Sequence, residues 1–484
     1  MGTGVLVFLA LLCGVHGLPW WSGLVSPGAG VFLPGYSGRN IPLGIRCMSV
    51  GLVLWRREFL RLRRLLGEGV WLLLYGRRKT GKTFMARLLV PWRLYATVAR
   101  DRTVVVEEPG GEPHTVEPEE AARLVVRVLR RGGVAVVDEF QRLPDSLWQM
   151  LVTAHPSGVL VLVASSLGVV ERVFSTRSPL LGLVAAENIG ILRFADTVAS
   201  LLPRLGPRGA VLWGLVLREP WTAEMPGVLQ GTPWDWAAGN ARLLYQVARS
   251  LVGEVFEEEE RRLTRLYEAV LRLLGAGVWD SAALAGILHR RGLVSAPSAS
   301  TVTGVLDKLA DMGLVARTRL WRTRGRRVYY RHASPLLGIV FGLAEKYAVD
   351  EHPAPPEALR DEALALYARE LQFTLAELLA EHHGGVAAYT ILPRGEGDVD
   401  IVVLDARGRR ALAAYEVKLG KCTRRDYAKA AQRAAAAGAD EAGIICLGGA
   451  TPPPSSGLRA LGPEDIAALA VEAARKTLPG TPAA

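Results

Sequence analysis

The sequence predicts an α/β protein whose first folded part is a parallel sheet built around a phosphate-binding loop. Two apolar runs, residues 134–137 and 159–164, are short enough for strands and carry no polar side chain, which is typical of strands buried on both faces. Segments with helical periodicity separate these runs. Strands that alternate with helices predict a doubly wound sheet. Further helices and a second α/β segment follow, so we expect several domains within the 484 residues.

The phosphate-binding loop runs from Gly76 to Thr83, follows the strand candidate Trp71–Tyr75 and matches G-x-x-x-x-G-K-[ST] in full. Its glycines let successive backbone N–H groups point at phosphate oxygens, and the helix that starts near Lys82 adds the positive end of its dipole. Lys82 would reach the β- and γ-phosphates of ATP, and the Thr83 hydroxyl would hold Mg²⁺. The alternative is a glycine-rich turn that binds nothing. The residues predicted to bind the nucleotide are Gly76, Arg77, Arg78, Lys79, Thr80, Gly81, Lys82 and Thr83.

A second motif closes the strand candidate at residues 134–137, which ends in Asp138 and Glu139. Ligands bind at the carboxyl ends of strands in such sheets, so both acids are expected at the nucleotide. Asp138 would hold Mg²⁺ through water, and Glu139 would polarise the attacking water. The next strand ends in Ser165, which either senses the γ-phosphate or simply ends the strand. The two motifs together predict ATP hydrolysis, with Glu139 and Lys82 as catalytic residues.

Composition and charge describe a basic globular chain. Half of the residues are hydrophobic and 22% are charged, which is not the composition of a disordered protein. The formal net charge of +11 favours polyanionic partners, although charge alone supports only weak, non-specific attraction. The four cysteines lie far apart without a CxxC pair, so neither a zinc site nor a disulfide framework is predicted.

The first 47 residues are expected to be an unstructured extension or to precede the true start. Their apolar run at residues 5–12 looks like the core of a signal peptide, but no Lys or Arg precedes it and it is too short to span a membrane. Periodic sequence begins only after Met48, which we predict to be the start. A signal peptide or anchor is the alternative. Because the chain carries an ATP-binding loop, we expect a cytoplasmic protein without a membrane partner.

Several of these residues resemble a known family. The run from Leu74 to Thr83, with residues 137–141 and the pair Ser165-Ser166, is similar to the archaeal ATPases of the AAA+/STAND class. The resemblance implies a P-loop ATPase domain followed by a helical lid. The family often carries Ser-Pro-Leu-Tyr-Gly-Arg after the third strand, and residues 178–183 here lack its arginine, so no arginine finger is assigned. Self-association into a homo-oligomer is a further hypothesis about partners.

The middle of the chain predicts a winged helix-turn-helix, because three helical segments precede a basic strand pair. The third helix, which opens near Ser298, would lie in a DNA major groove with the strand pair on the phosphates. The resemblance implies the same module, since relatives carry it. The alternative is a winged helix that serves only as a platform between domains. The arginines predicted to contact DNA are Arg317, Arg319, Arg322, Arg324, Arg326 and Arg327, and Arg331 lies in the same strands.

Two strand candidates near the C-terminus carry a third set of chemistry-bearing residues. Glu416 and Lys418, two apart on one strand, share a face, and Asp400 can join them from the neighbouring strand. Two carboxylates would hold Mg²⁺, and Lys418 would orient water for attack on a phosphodiester. This spacing resembles the PD-(D/E)XK nuclease-like fold, which implies an α/β/α domain with these three residues as its catalytic set. The family's acid on the leading helix is missing unless Glu370 or Glu377 substitutes.

Together these patterns predict an ATPase, with ATP and Mg²⁺ as cofactors, that couples its nucleotide state to DNA binding or processing. The alternative is a non-catalytic, ATP-dependent switch whose nuclease-like domain only binds nucleic acid or protein. The predicted domains are the extension (residues 1–47), the P-loop ATPase domain (48–195), the helical lid (196–256), the winged helix-turn-helix (257–350) and the nuclease-like domain (357–475).

Overall fold

The structure, a computed structural model, describes residues 54–476 apart from residues 155–156, 166–167, 257–260, 324–326, 353, 392–397 and 450–456. The predicted extension and the predicted start at Met48 therefore lie outside the described residues. The chain divides into two compact units, the first formed by Arg57–Ile189 and the second by Leu54–Arg56 with Gly190–Thr477. Each unit contains its own sheet.

The first unit is an α/β layer structure. Its elements, in chain order, are α1 (Glu58–Gly67), β1 (Trp71–Tyr75), α2 (Lys82–Leu89), β2 (Leu94–Val98), β3 (Val104–Glu107), β4 (His114–Val116), α3 (Pro118–Arg130), β5 (Val134–Asp138), α4 (Asp145–Thr153), β6 (Val159–Ala164), α5 (Gly168–Val173) and β7 (Val184–Asn188).

Seven strands form the first sheet in the order β4-β3-β2-β5-β6-β1-β7. The neighbours in the run β2-β5-β6-β1-β7 are all parallel. At the other edge, β3 is antiparallel to β2 and β4 is antiparallel to β3. The apolar strands β5 and β6 are buried along almost their whole length, because helices cover both faces of a parallel sheet. The predicted α/β fold with a largely parallel sheet is confirmed.

The composition of residues 107–120, rich in Pro, Gly and Glu, predicts a surface loop. This prediction is wrong, because the segment contains β4 and the first turn of α3. Val116 pairs with Val104 at the antiparallel edge. Edge pairing depends on a partner strand rather than on local composition, so the sequence window carried no sign of it.

The second unit begins with helices and ends with a mixed sheet. None of its helices, nor any other helix in the described part of the chain, is long and apolar enough to cross a lipid bilayer. Its elements are α6 (Phe194–Val216), α7 (Pro233–Gly239), α8 (Ala241–Phe256), α9 (Arg261–Gly275), α10 (Ser281–Arg290), α11 (Ala299–Asp311), β8 (Val315–Leu320), β9 (Val328–His332), α12 (Pro335–Tyr347), α13 (Pro356–His382), β10 (Val386–Ile391), β11 (Asp398–Leu404), β12 (Ala411–Lys418), α14 (Arg424–Ala437), β13 (Ala439–Cys446), β14 (Arg459–Leu461) and α15 (Pro463–Arg475).

The hairpin β8-β9, predicted to be a wing, continues the C-terminal sheet. The strand order is β14-β13-β12-β11-β10-β8-β9, with β8 parallel to β10. Trp321, just after β8, donates its backbone N–H to the carbonyl of Tyr389 at 2.8 Å, and its indole Nε1 donates to the carbonyl of Ala437 at 3.0 Å. The hairpin and the strands of the predicted nuclease-like segment therefore share one sheet.

A disulfide joins Cys422 to Cys446, whose Cα atoms are 5.8 Å apart. The expectation that the cysteines form no disulfide was wrong for this pair. The two residues are 24 positions apart without a recognisable spacing, so nothing local indicated it. Helix α14 connects β12 to its parallel neighbour β13, so the ends of the two strands lie side by side. Cys422, between the end of β12 and the helix, therefore lies near Cys446 at the end of β13. The bond ties the start of α14 to the sheet.

Candidate functional site

The phosphate-binding loop connects the end of β1 to the first turn of α2. Gly76 has a φ of 141°, and a Cβ atom there would lie 2.5 Å from the carbonyl oxygen of Ile189, so a side chain does not fit. Gly81 has a φ of 92° at the N-cap of α2. Lys79, between them, has a φ of 59°. Both glycines of the motif thus occupy left-handed conformations that favour glycine.

Lys82 lies in the first turn of α2 and is only 5% exposed. Its Nζ donates to the carbonyl oxygens of Gly76 at 2.9 Å and Arg77 at 2.7 Å. Burial lowers the pKa of the Lys82 ammonium to about 8, although the negative charges of Glu139 and Asp138 oppose this shift. The group is therefore a cation at neutral pH, held inside the loop where a phosphate would replace the carbonyl oxygens as its partner.

Asp138, at the end of β5, is oriented by three donors. Its Oδ2 accepts hydrogen bonds from the Thr83 hydroxyl and the Tyr95 hydroxyl, both at 2.8 Å. Its Oδ1 accepts the backbone N–H of Glu139 at 2.9 Å. A hydroxyl beside a carboxylate offers the hard oxygen ligands that Mg²⁺ prefers, so this pair fits the ion that the motifs imply. The structure thus brings the two predicted motifs together.

Tyr95 belongs to this site although no sequence motif identified it. It lies on β2, is fully buried, and pairs across the sheet with Val136 of β5. Burial raises the pKa of its phenol, and the charge of Asp138 raises it further, so the hydroxyl remains a donor. The guanidinium of Arg87 lies 4.1 Å from the centre of its ring and makes two hydrogen bonds to Glu107. Tyr95 lies outside both motifs, and only the pairing of β2 with β5 in the structure brings it to the site.

Replacing Tyr95 by phenylalanine is expected to raise the Mg²⁺ concentration that supports half-maximal ATP turnover by about tenfold, since the change removes one donor that orients a metal-binding carboxylate. Turnover at saturating Mg²⁺ is expected to stay near wild type. Tyr245→Phe, which deletes a comparable tyrosine–carboxylate hydrogen bond to Glu268, is the control. An unchanged Mg²⁺ dependence in Tyr95→Phe, or an equal change in the control, would contradict the role.

Glu139 has a left-handed backbone conformation, with a φ of 56°, directly after the end of β5. Its Oε2 accepts a hydrogen bond from Gln141 at 2.7 Å and lies 3.4 Å from Arg142, while its Oε1 accepts one from the Ser165 hydroxyl. A non-glycine residue in this region is strained, and such strain is concentrated at functional sites. Ser165, left open between sensing and simply ending a strand, contacts the predicted water-orienting residue.

The C-terminal acids lie together beneath α14. Asp400 on β11 accepts the backbone N–H of Val417 at 2.8 Å. Glu416 on β12 is 2% exposed, and its Oε2 lies 2.5 Å from Nη1 of Arg433 on α14. Lys418 lies with its Nζ 3.9 Å from the carboxylate of Asp426, at the other end of the same helix. Sequence reasoning missed Arg433 as a direct partner of the acids.

The charge of these buried acids is only partly compensated, since Arg433 contacts one oxygen of Glu416. Burial raises the pKa of Asp400 to about 7, and the negative charge of Glu416 adds to the effect. The Oε1 atom of Glu416 is buried and, within the described part of the chain, has no hydrogen-bond partner. The described residues contain no group of three or more His, Cys, Asp or Glu side chains placed to hold a metal. Mg²⁺ often binds one or two carboxylates, with water and substrate phosphates as its other ligands, so the pair can supply the protein's share of such a site.

The two glutamates considered as a third acid are engaged elsewhere. Glu370 is buried and lies 2.9 Å from Nη2 of Arg369. Glu377 is 2.7 Å from Arg331 and 2.9 Å from Arg218. Neither completes a three-carboxylate cluster among the described residues. The missing acid of the nuclease-like pattern is therefore not replaced by either of them.

Two of the six predicted DNA-contacting arginines contact residues of the C-terminal segment. Arg322 donates to the carbonyl oxygen of Ala436 in the last turn of α14. The Nη1 atom of Arg319 lies so near Gly408 that a Cβ there would be 2.0 Å from it. Both side chains remain exposed, but their guanidinium groups already have protein neighbours.

The other arginines of the hairpin differ in their surroundings. Arg317 pairs with Asp307 on α11, and Arg327 is exposed. Arg331 was expected on the same basic surface, but it is buried and its guanidinium is paired with Glu377. That expectation was wrong because the alternation of β9 turns this residue toward α13. Outside the described residues lie Arg324 and Arg326.

Comparisons with known proteins give distant structural similarities. No protein-family model matches the chain, and no curated protein matches it. The Walker-type ATPase PABY2304 of Pyrococcus abyssi is 17% identical, with a TM-score of 0.39 over 60% of this chain and 96% of that one. The ORC1 protein of Aeropyrum pernix in complex with DNA is 16% identical, with a TM-score of 0.28 over 63% and 96%. CDC6P from Pyrobaculum aerophilum is 15% identical, with a TM-score of 0.25 over 70% and 97%.

These similarities are too distant to assign a function. The class of protein follows instead from this chain's own residues. A largely parallel sheet presents a complete G-x-x-x-x-G-K-[ST] loop beside a strand that ends in two acids, which defines a P-loop α/β protein with a second, mixed sheet.

Proposed function

We propose that this chain is a Mg²⁺-dependent ATPase whose nucleotide state controls nucleic-acid binding or processing by its C-terminal segment. The observation that carries the proposal is the hydrogen bond between Thr83 and Asp138, which joins the phosphate-binding loop to the acidic strand end. Residues 48–195 would be the ATPase domain, residues 196–256 its lid and residues 257–350 a winged helix-turn-helix. Residues 357–475 would be the nuclease-like segment on which the ATPase acts.

The residues of the loop and the two acids at the end of β5 have different roles in the proposed hydrolysis. Backbone N–H groups of the loop and the Lys82 ammonium bind the β- and γ-phosphates. Glu139 orients a water molecule for attack on the γ-phosphorus, whose bond to the ADP oxygen then breaks to give ADP and phosphate. When bound, Mg²⁺ would be held by Thr83 and Asp138 and would neutralise charge on the phosphate oxygens.

Replacing Glu139 by glutamine tests the proposed hydrolysis. The variant is expected to bind ATP but to turn it over about 100-fold more slowly, because a positioned general base contributes on the order of 10²–10⁴. Phosphate release measured with and without Mg²⁺ gives the rate, and nucleotide titration gives the affinity. Glu119→Gln, at an exposed position of α3, is the control. Wild-type protein that binds ATP without Mg²⁺-dependent turnover would contradict the ATPase proposal.

The second candidate is the non-catalytic switch, and one contact favours it. Arg433 neutralises Glu416 at 2.5 Å and would have to be displaced for both oxygens of Glu416 to serve a metal ion. In that candidate the C-terminal segment binds nucleic acid or protein without cutting it. Incubation of labelled DNA and RNA with Mg²⁺, with and without ATP, separates the two: cleavage supports a nuclease, whereas ATP-dependent binding without cleavage supports the switch.

A further inference from the structure

Helix α14 presents a row of cations toward solvent beside the C-terminal acids. Its buried face consists of Tyr427, Ala430, Ala434 and Ala437. On its other side Arg425, Lys429 and Arg433 follow one another at intervals of four residues, which places them on one face. The exposed cations of this helix and of the segment leading into it are Lys421, Arg424, Arg425 and Lys429.

Two contacts fix where this row lies relative to the acids. Arg433, four residues beyond Lys429, reaches Glu416 at 2.5 Å. Near the start of the helix, Asp426 lies 3.9 Å from Lys418. The helix therefore runs antiparallel to β12, and the ridge Arg425–Lys429–Arg433 leads along it from Lys418 to Glu416. The disulfide at Cys422 holds the start of the helix in this position.

Two of the three ridge cations, Arg425 and Lys429, have no ion-pair partner among the described residues, whereas Arg433 is paired with Glu416. Within the described part of the chain, no carboxylate forms an ion pair with Lys421, Arg424, Arg425 or Lys429. Elsewhere in the same sheet exposed arginines do have acids, as Arg410 has Asp440 at 3.3 Å. Asp426 is the nearby acid, and it is engaged in a capping box with Thr423. Repulsion among the unpaired cations lowers the stability of the folded chain. An anionic partner would relieve this repulsion.

We infer that this basic face of α14, with Lys418 and Lys421, is the main contact of the chain with a nucleic-acid backbone. This inference rests on the proposed coupling to nucleic acid and changes its location. Among the described arginines near the hairpin, Arg317 pairs with Asp307, and Arg322 donates to α14. The ridge offers the unpaired cations Arg425 and Lys429, which can contact backbone phosphates, and it ends at Arg433 beside Glu416.

The test compares three double substitutions that remove the same charge. Arg425→Gln with Lys429→Gln changes the ridge, and Arg317→Gln with Arg327→Gln changes the hairpin. The matched control is Arg407→Gln with Arg409→Gln, in the turn ahead of β12, where both arginines are exposed. Binding to a labelled duplex and to a labelled single strand, both of mixed sequence, is measured over a range of salt concentrations with ATP. Thermal denaturation of each variant confirms that it is folded.

The ridge variant is expected to bind on the order of tenfold more weakly at low salt. The slope of log K against log salt, where K is the association constant, is expected to become less steep by about 2. The control is expected to match the wild type. An unchanged ridge variant, or a loss confined to the hairpin variant, overturns the inference and leaves coupling to nucleic acid standing. Wild-type protein that hydrolyses ATP but binds neither probe overturns the inference and the coupling, while the ATPase remains.

Discussion

Replacing Lys82 by methionine is expected to weaken ATP binding strongly while the first unit stays folded. The Lys82 ammonium lies 2.7–2.9 Å from two loop carbonyls, so it is already placed where the β- and γ-phosphates would lie. Truncating one partner of a desolvated charge pair costs about 2–5 kcal/mol, which corresponds to a loss of affinity of at least roughly 30-fold. Isothermal titration of ATP into the folded protein measures the loss.

Retention of the fold is expected because two opposing effects nearly cancel. Methionine keeps the aliphatic stem that packs in the first turn of α2, but it loses the two hydrogen bonds to the loop. Against this, the variant no longer buries a charge whose pKa burial has lowered to about 8. The net change in the free energy of unfolding is expected to be about 1 kcal/mol or less. Arg127→Met, at an exposed position of α3, is the control. ATP affinity that survives in Lys82→Met would place the nucleotide elsewhere.

The parts of the site that sequence predicted are those encoded in contiguous residues. The loop from Gly76 to Thr83 must wrap a backbone around an anion, and that demand fixes glycine, lysine and threonine at set spacings. The strand that ends in Asp138 is recognisable because burial on both faces excludes polar residues until the strand ends. Such local demands are visible in a short window of sequence.

The parts that sequence missed depend on pairing between distant segments. Tyr95 reaches Asp138 because β2 lies beside β5, and a tyrosine in a strand carries no motif of its own. The disulfide depends on a crossover that returns Cys446 to the start of α14. The hairpin is part of the C-terminal sheet because β8 pairs with β10, which lies much later in the chain. Strand partners are chosen by tertiary packing, which a single sequence does not display.

Replacing Asp400 by asparagine is expected to stabilise the protein near pH 8 and to leave it unchanged near pH 4. Burial, with the charge of Glu416, raises the pKa of Asp400 from 3.8 to about 7 in the folded state. The folded state therefore binds this proton more tightly than the unfolded state. The stability that the proton contributes is complete below about pH 4 and is lost as the pH rises to about 7, at up to about 1.4 kcal/mol per pH unit.

Asparagine imitates the protonated acid at every pH, so the variant avoids this loss of stability. Thermal denaturation at several pH values measures the difference, which is expected to reach several °C near pH 8. The control Asp405→Asn has the opposite sign. Hydrogen bonds from the backbone of Arg409 and Arg410 hold the pKa of Asp405 below its usual range, so that acid contributes stability above pH 4 and loses it as the pH falls.

The variant Asp400→Asn also tests whether Asp400 binds a metal ion. If Asp400 and Glu416 serve a cation, Mg²⁺ at pH 8 stabilises the wild type by relieving the repulsion between them, and it does not stabilise Asp400→Asn. Any Mg²⁺-dependent cleavage of nucleic acid should disappear with the same substitution and with Lys418→Ala. Cleavage that survives both substitutions would reject this site. Equal Mg²⁺ stabilisation of wild type and Asp400→Asn, both measured without nucleotide, would show that the Asp400 carboxyl group holds no metal.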